Sequence, residues 1–224
     1  MTDLISSEID RFLAEKTQEK AHRGRLIFAL DATASRQETW DTACQLQAEM
    51  FREVARIGSL DVQLVYYRGP EGSPEGECRA SRWYDHSAYL TKAMSSIVCR
   101  AGHTQLKRVL LHCYQEALRS KVGAVIFVGD ACEEVLDALV QPAADLGRLG
   151  VPVFMFQEGD NRKVEQVFRE IVRLTHGAYC RFDPGAARQL GELLKAAAVY
   201  AVGGKEALLT RGGAGAVKLL GQLK

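Results

Sequence analysis

A doubly wound α/β domain is what this chain predicts: a mostly parallel six-stranded sheet with one antiparallel edge strand and helices on both faces. Apolar runs of strand length alternate with amphipathic stretches of helix length from residue 25 to residue 202. The runs "LIFAL", "VQLVYY", "VGAVIFVG", "VPVFMF" and "AYCRF" are continuously apolar, the mark of strands covered on both faces. The connection "RGPEGSPEGECRASRWY" instead has a Gly/Pro-rich turn and a mixed run ending in Trp83 and Tyr84, which fits an edge strand returning antiparallel.

In chain order, Leu4, Ile5, Ile9, Phe12 and Leu13 recur at near-helical spacing among charges, so residues 1–24 are set apart as an N-terminal amphipathic helix that packs on the body or on a partner. The domain proper spans 25–202. Its helices are expected over 39–57, 87–100, 106–121, 132–148, 161–176 and 186–202, the last rich in alanine and leucine. Residues 203–224, glycine-broken and then weakly amphipathic, form a C-terminal tail or docking segment.

Composition narrows the function classes. The chain has 224 residues, 47% of them apolar and 25% charged, which is ordinary for one soluble domain with a sizeable core. Lysine plus arginine (29) nearly balances aspartate plus glutamate (28), so neither nucleic acid nor an anionic membrane is the expected partner. The charged N-terminus lacks a secretory apolar core, and no run approaches the roughly 18 apolar residues of a membrane span, so a cytoplasmic protein is expected. Six cysteines without a CxxC pair read as reduced thiols.

The chemistry concentrates at strand ends. In open α/β sheets ligands bind outside the carboxyl ends of the strands, where the strand order reverses. "LIFALDATAS" puts Asp31 at that end of the first strand, followed by Thr33 and Ser35 with small Ala32 and Ala34 between them. "VGAVIFVGDACEE" puts Asp130 at the same end of a second strand, and "AGHTQL" places Thr104 at the entrance to the helix of 106–121. Two carboxylates and three hydroxyls make an all-oxygen set suited to a hard cation, Mg²⁺ or Mn²⁺, rather than zinc. Taken singly, Thr104 and Ser35 also read as helix N-caps.

In this order the five residues resemble the von Willebrand factor A domain, a Rossmann-like fold, and its metal-ion-dependent adhesion site: D-x-S-x-S, a later loop threonine and a later strand-end aspartate. The resemblance covers about residues 25 to 200. It departs at Thr33, which keeps the hydroxyl and adds a methyl, and at Ala131, where glycine is often found. It implies a Mg²⁺ site built from Asp31, Thr33, Ser35, Thr104 and Asp130, with hydroxyls on the metal, aspartates acting directly or through water, and one position left for an Asp or Glu of a protein partner. Neutral ligands leave the cation electrophilic toward that acid.

Rival readings stay open on the residues alone. A phosphoryl-transfer enzyme of haloacid dehalogenase type also sets a strand-end aspartate on Mg²⁺ but needs D-x-D, and Thr33 holds the second acid's place. A dinucleotide site would need GxGxxG where "DATAS" stands. A metal-independent scaffold working through the terminal segments is the third. Elsewhere, His103 could rim the site, His112 and Cys113 diverge on their helix, His176 reads as a helix C-terminal cation, and Trp83 and Tyr84 read as edge packing.

Overall fold

The structure, a computed structural model, describes residues 23–69 and 76–223. The N-terminal helix expected before residue 23 and the turn at 70–75 lie outside the described residues.

The six strands are β1 (Arg23–Asp31), β2 (Ser59–Arg68), β3 (Glu77–Tyr84), β4 (Ala124–Gly129), β5 (Val153–Glu158) and β6 (Ala178–Phe182), ordered β3-β2-β1-β4-β5-β6. All neighbours are parallel except β2 and β3. This is the fold class expected from the sequence. The chain leaves β1 toward β2 on one side and comes back to β4 on the other, so the order reverses between β1 and β4 and opens a crevice at their carboxyl ends.

The central strands are apolar on both faces because both faces are covered. Leu26, Phe28 and Leu30 of β1 point into one core, while Ile27 and Ala29 point into the other. The first core is closed by α1 (Gln37–Val54), α2 (Ser87–Ser95), α6 (Ala187–Arg211) and α7 (Ala214–Leu220), through residues such as Trp40, Met94, Leu194 and Leu219. The second is closed by α3 (Leu106–Arg119), α4 (Asp137–Arg148) and α5 (Arg162–Thr175), through Leu110, Leu146 and Phe168. Edge strand β3 is half-exposed and bulges against Gln63–Val65. There Trp83 packs as the edge reading expects: its indole N–H donates to Glu116 at 2.9 Å and the Arg25 guanidinium lies 3.8 Å over its ring.

Three local details differ from the sequence pattern. Helix α4 begins at Asp137 rather than residue 132, because Glu133 and Glu134 are held elsewhere, as described below. The last helix expected over 186–202 runs on to Arg211, across a break at Gly204 (φ 66°). Beyond it the chain remains on the body: Ala216, Leu219 and Leu223 are buried, and the Gln222 amide pairs with both backbone groups of Tyr179 on edge strand β6. At the end of α5 the left-handed residue is His176 (φ 56°), where glycine would be the usual choice. Gly177 serves another need, because a Cβ there would lie 1.9 Å from the Val153 carbonyl oxygen.

Among the described residues no helix is long and apolar enough to cross a membrane.

Candidate metal centre

Asp31 ends β1 directly at the β1/β4 crevice. Its side chain turns back on its own loop, with Oδ1 accepting the Thr33 N–H at 2.7 Å. The loop is tied on both sides: Ala32 N–H donates to the Tyr67 carbonyl at the end of β2, and Arg100 N–H donates to the Ala32 carbonyl. Gly129 packs against Asp31 from β4, where a Cβ would lie 2.8 Å from the Phe127 ring. Asp31 is therefore 2% exposed, with the Tyr67 hydroxyl the donor beside its carboxylate. Burial raises its pKa and the Asp130 charge adds to the rise, while hydrogen bonds from Thr33 and the Tyr67 hydroxyl pull the other way. Beside it the buried Tyr67 phenol is driven well above its ordinary pKa, first by burial and then by the Asp31 charge.

Asp130 follows β4 across the crevice. Its Oδ1 is buried and lacks a hydrogen-bond partner among the described residues, and its Oδ2 lies 3.6 Å from Arg36 Nη1. Thr33 is buried behind Asp31, and Ser35 is exposed in the single 3₁₀ turn Ala34–Arg36 that leads into α1.

Thr104 is buried and held by the β4–α4 loop. Its N–H donates to the Glu133 carboxylate at 2.7 Å, and its hydroxyl accepts the Glu133 N–H at 2.9 Å. Glu134 accepts the first two backbone N–H groups of α3, Leu106 at 2.6 Å and Lys107 at 2.8 Å. The cap of α3 thus comes from a loop some 28 residues away, not from Thr104, and that use of two acids is why α4 starts late. The Thr104 hydroxyl oxygen keeps a second lone pair. His103 is exposed next to it.

The sequence reading missed several groups here: Tyr67, Arg36, Thr39, Glu158, Glu133 and Glu134. Glu158 ends β5 and is buried with the same strand-end logic as Asp31 and Asp130; Arg36 and the Thr39 hydroxyl both donate to its Oε2. The other candidates find structural roles. His112 Nε2 lies 2.9 Å from the Gln63 side-chain oxygen and Cys113 points into the second core. None of the six cysteines is in a disulfide, and burial pushes the thiols of Cys99 and Cys132, which sit near the crevice, up to about 11.

Among the described residues no three His, Cys, Asp or Glu side chains converge as a metal-binding group. A cation here would rest on hydroxyls beside two acids. The residues suit that task, because two carboxylates at adjacent strand ends, one of them buried, are well compensated by a cation.

No family model and no curated protein matches the sequence. Solved structures do match in shape. The von Willebrand factor type A protein of Catenulispora acidiphila superposes with a TM-score of 0.58 at 13% identity, over 79% of this chain and 43% of that one. The fold is that of a von Willebrand factor A domain. The pilus adhesin SpaC of Lactobacillus rhamnosus GG, in its open conformation, gives a TM-score of 0.62 at 12% identity over 82% of this chain and 30% of that one. The SpRpn10 VWA domain gives 0.55 at 9% identity, over 75% of this chain and 94% of that domain. The chain thus spans less than half the length of the first two. On the von Willebrand factor A fold, Asp31, Thr33, Ser35 and Asp130 stand on the β1 and β4 loops at the sheet reversal, and Thr104 stands at the head of α3.

Proposed function

We propose that the chain is a non-enzymatic interaction module that holds Mg²⁺, or Mn²⁺, with Asp31, Thr33, Ser35, Thr104 and Asp130 and grips an aspartate or glutamate of a protein partner. One observation carries the reading: two strand-end carboxylates meet at the same crevice, Asp31 buried with its pKa raised by burial and by the Asp130 charge, and Asp130 Oδ1 buried with no hydrogen-bond partner among the described residues. Setting two carboxylates side by side out of water is costly unless a cation compensates them.

A hard cation bound there supplies Lewis-acidic attraction for an incoming carboxylate. The protein's own part is to hold the oxygens ready. Asp31 is fixed by the Thr33 N–H, Thr104 by its reciprocal pair with Glu133, and exposed Ser35 reaches the rim where a partner must approach. Exposed Val98, Val135 and Leu136 lie on the loops around this mouth and give a partner apolar contact. A fold neighbour that is a pilus adhesin offers an analogy for such use of the fold. Thr33 stands where a haloacid dehalogenase-type enzyme would have its second acid, so no phosphoryl transfer belongs to the proposal. Six cysteines outside any disulfide support a reducing, cytoplasmic setting.

The test is capture of a partner from native lysate in Mg²⁺ and in chelator, followed by replacement of the partner's interface acids with amides, one at a time. Binding should fall in chelator and on loss of one acid. Equal binding in both conditions, with no single acid mattering, would move the interface away from the crevice.

A further inference from the structure

We infer that Arg36 is a built-in competitor for the cation at Asp130 and that Glu158 is the positioning residue that holds it aside; the inference rests on the metal reading above. Arg36 directly follows the "DATAS" loop and is 3% exposed, a depth at which arginine survives only if paired. It has two acids to choose from. Nη1 hydrogen-bonds Glu158 Oε2, and the same nitrogen lies 3.6 Å from Asp130 Oδ2, within ion-pair range but beyond hydrogen-bond length. Arg36 Nε has no partner among the described residues, so the guanidinium has unspent donor capacity.

The bond to Glu158 is reinforced from the other side, because the Thr39 hydroxyl, one helical turn beyond Arg36, donates to the same carboxylate oxygen. Glu158 is therefore fixed, and it draws the guanidinium toward β5 and away from β4. A guanidinium and a divalent cation cannot both sit closely on the Asp130 carboxylate in a partly buried crevice, since like charges a few ångströms apart repel strongly there. Arginine stays protonated at any working pH, so deprotonation gives no escape. What remains is position. While Glu158 keeps the guanidinium, Asp130 has an oxygen to give; if Glu158 lets go, the short shift to Asp130 Oδ2 converts an ion pair into a bond and closes the site.

The experiment is a double-mutant cycle on the full chain, titrating Mg²⁺ by calorimetry and Mn²⁺ by electron paramagnetic resonance. Arg36→Gln should tighten binding and Glu158→Gln should weaken it, each by about tenfold, the size of a close charge contact reduced by solvent at a partly exposed aspartate. Because Glu158 acts through Arg36, Glu158→Gln should have no effect in the Arg36→Gln background. Equal weakening in both backgrounds would mean only a distant charge effect and would overturn the inference, as would weakening by both single variants, the sign of a merely structural pair. If Arg36→Gln alone does not fold, comparing Glu158→Gln with the double variant makes the test, since in neither does Glu158 remain as a buried acid without its arginine; the double variant should bind about a hundredfold tighter than Glu158→Gln, two tenfold steps. Binding absent in the natural chain but present after Arg36→Gln would support the competitor role while correcting the proposed function. Equal binding by every variant refutes the competition and leaves the metal reading standing, whereas no binding by any variant refutes both.

Discussion

Glu134 gives the sharpest test of how the crevice is built. Its carboxylate accepts the Leu106 and Lys107 N–H groups at 2.6 and 2.8 Å and so supplies the cap of α3 from another loop. Hydrogen bonds from neutral donors to a charged acceptor are worth about 1.5–3 kcal/mol each, and an acid at a helix N-terminus adds about 0.3–1 kcal/mol. Water can replace part of this, because Lys107 is exposed and Glu134 half-buried, whereas Leu106 is buried. Glu134→Ala should therefore cost about 2–3 kcal/mol, a fall in melting temperature of roughly 5–10 °C for a domain of this size. Urea unfolding followed by circular dichroism, in chelator, measures it. Glu133 is exposed and makes one such bond, to the Thr104 N–H, so Glu133→Ala should cost less, about 1 kcal/mol. A loss below about 0.5 kcal/mol for Glu134→Ala, or the reverse ranking, would refute the cap argument.

Three further outcomes are expected. Asp31→Asn should melt higher than the natural chain in chelator, because it removes a buried charge whose pKa burial raises, and should lose the stabilisation expected from Mg²⁺ on the proposed metal reading; a lower melting temperature in chelator would contradict this. Glu77 has its pKa lowered: burial opposes its ionisation, but hydrogen bonds from Arg68 and Arg79 outweigh that. Its stabilising contribution is present above its ordinary value of 4.5 and lost as the pH falls through the depressed folded value, so Glu77→Gln should be less stable at pH 7 by about 1 kcal/mol, with the gap closing below about pH 4.5 in pH-dependent urea unfolding. Gly102→Ala should cost about 1–3 kcal/mol and weaken Mg²⁺ binding in calorimetry, because a Cβ there would lie 2.4 Å from the Gly69 backbone and displace the loop that holds Thr104.

What could be read from the sequence was whatever the chain states locally. Continuous apolar runs gave the parallel strands, and an acid closing such a run gave Asp31 and Asp130, because strand-end position follows from the strand itself. What the sequence hid was pairing across distance. Arg36 and Glu158 are 122 residues apart and meet only because the sheet order sets β5 beside β4 and the β1 loop leans across both. Glu134 caps a helix that precedes it, so "DACEE" reads as the start of α4 when it is in fact the cap of α3. The left-handed His176 shows the same limit: local preference would put glycine at that conformation, but Gly177 is claimed by the tight contact with β5.

The distribution of unsatisfied groups separates scaffold from site. Among the described residues, five side chains hold a buried polar atom outside ordinary hydrogen-bond geometry, Asp31, Arg36, Gln47, Tyr67 and Asp130, with the Tyr67 hydroxyl set beside the Asp31 carboxylate. All but Gln47 lie at the β1/β4 crevice. Elsewhere local pattern, packing and hydrogen bonding agree, as they must for a chain to settle into one fold. A mistake of folding would scatter such groups; their concentration around two carboxylates and one arginine means that the fold holds one small region short of its best stability. Such a region gains most from whatever binds there. On the proposed metal reading, the opposed charges of Asp130 and Arg36 would decide how readily a cation does so, and Glu158, buried and doubly bonded on the next strand, would set that balance.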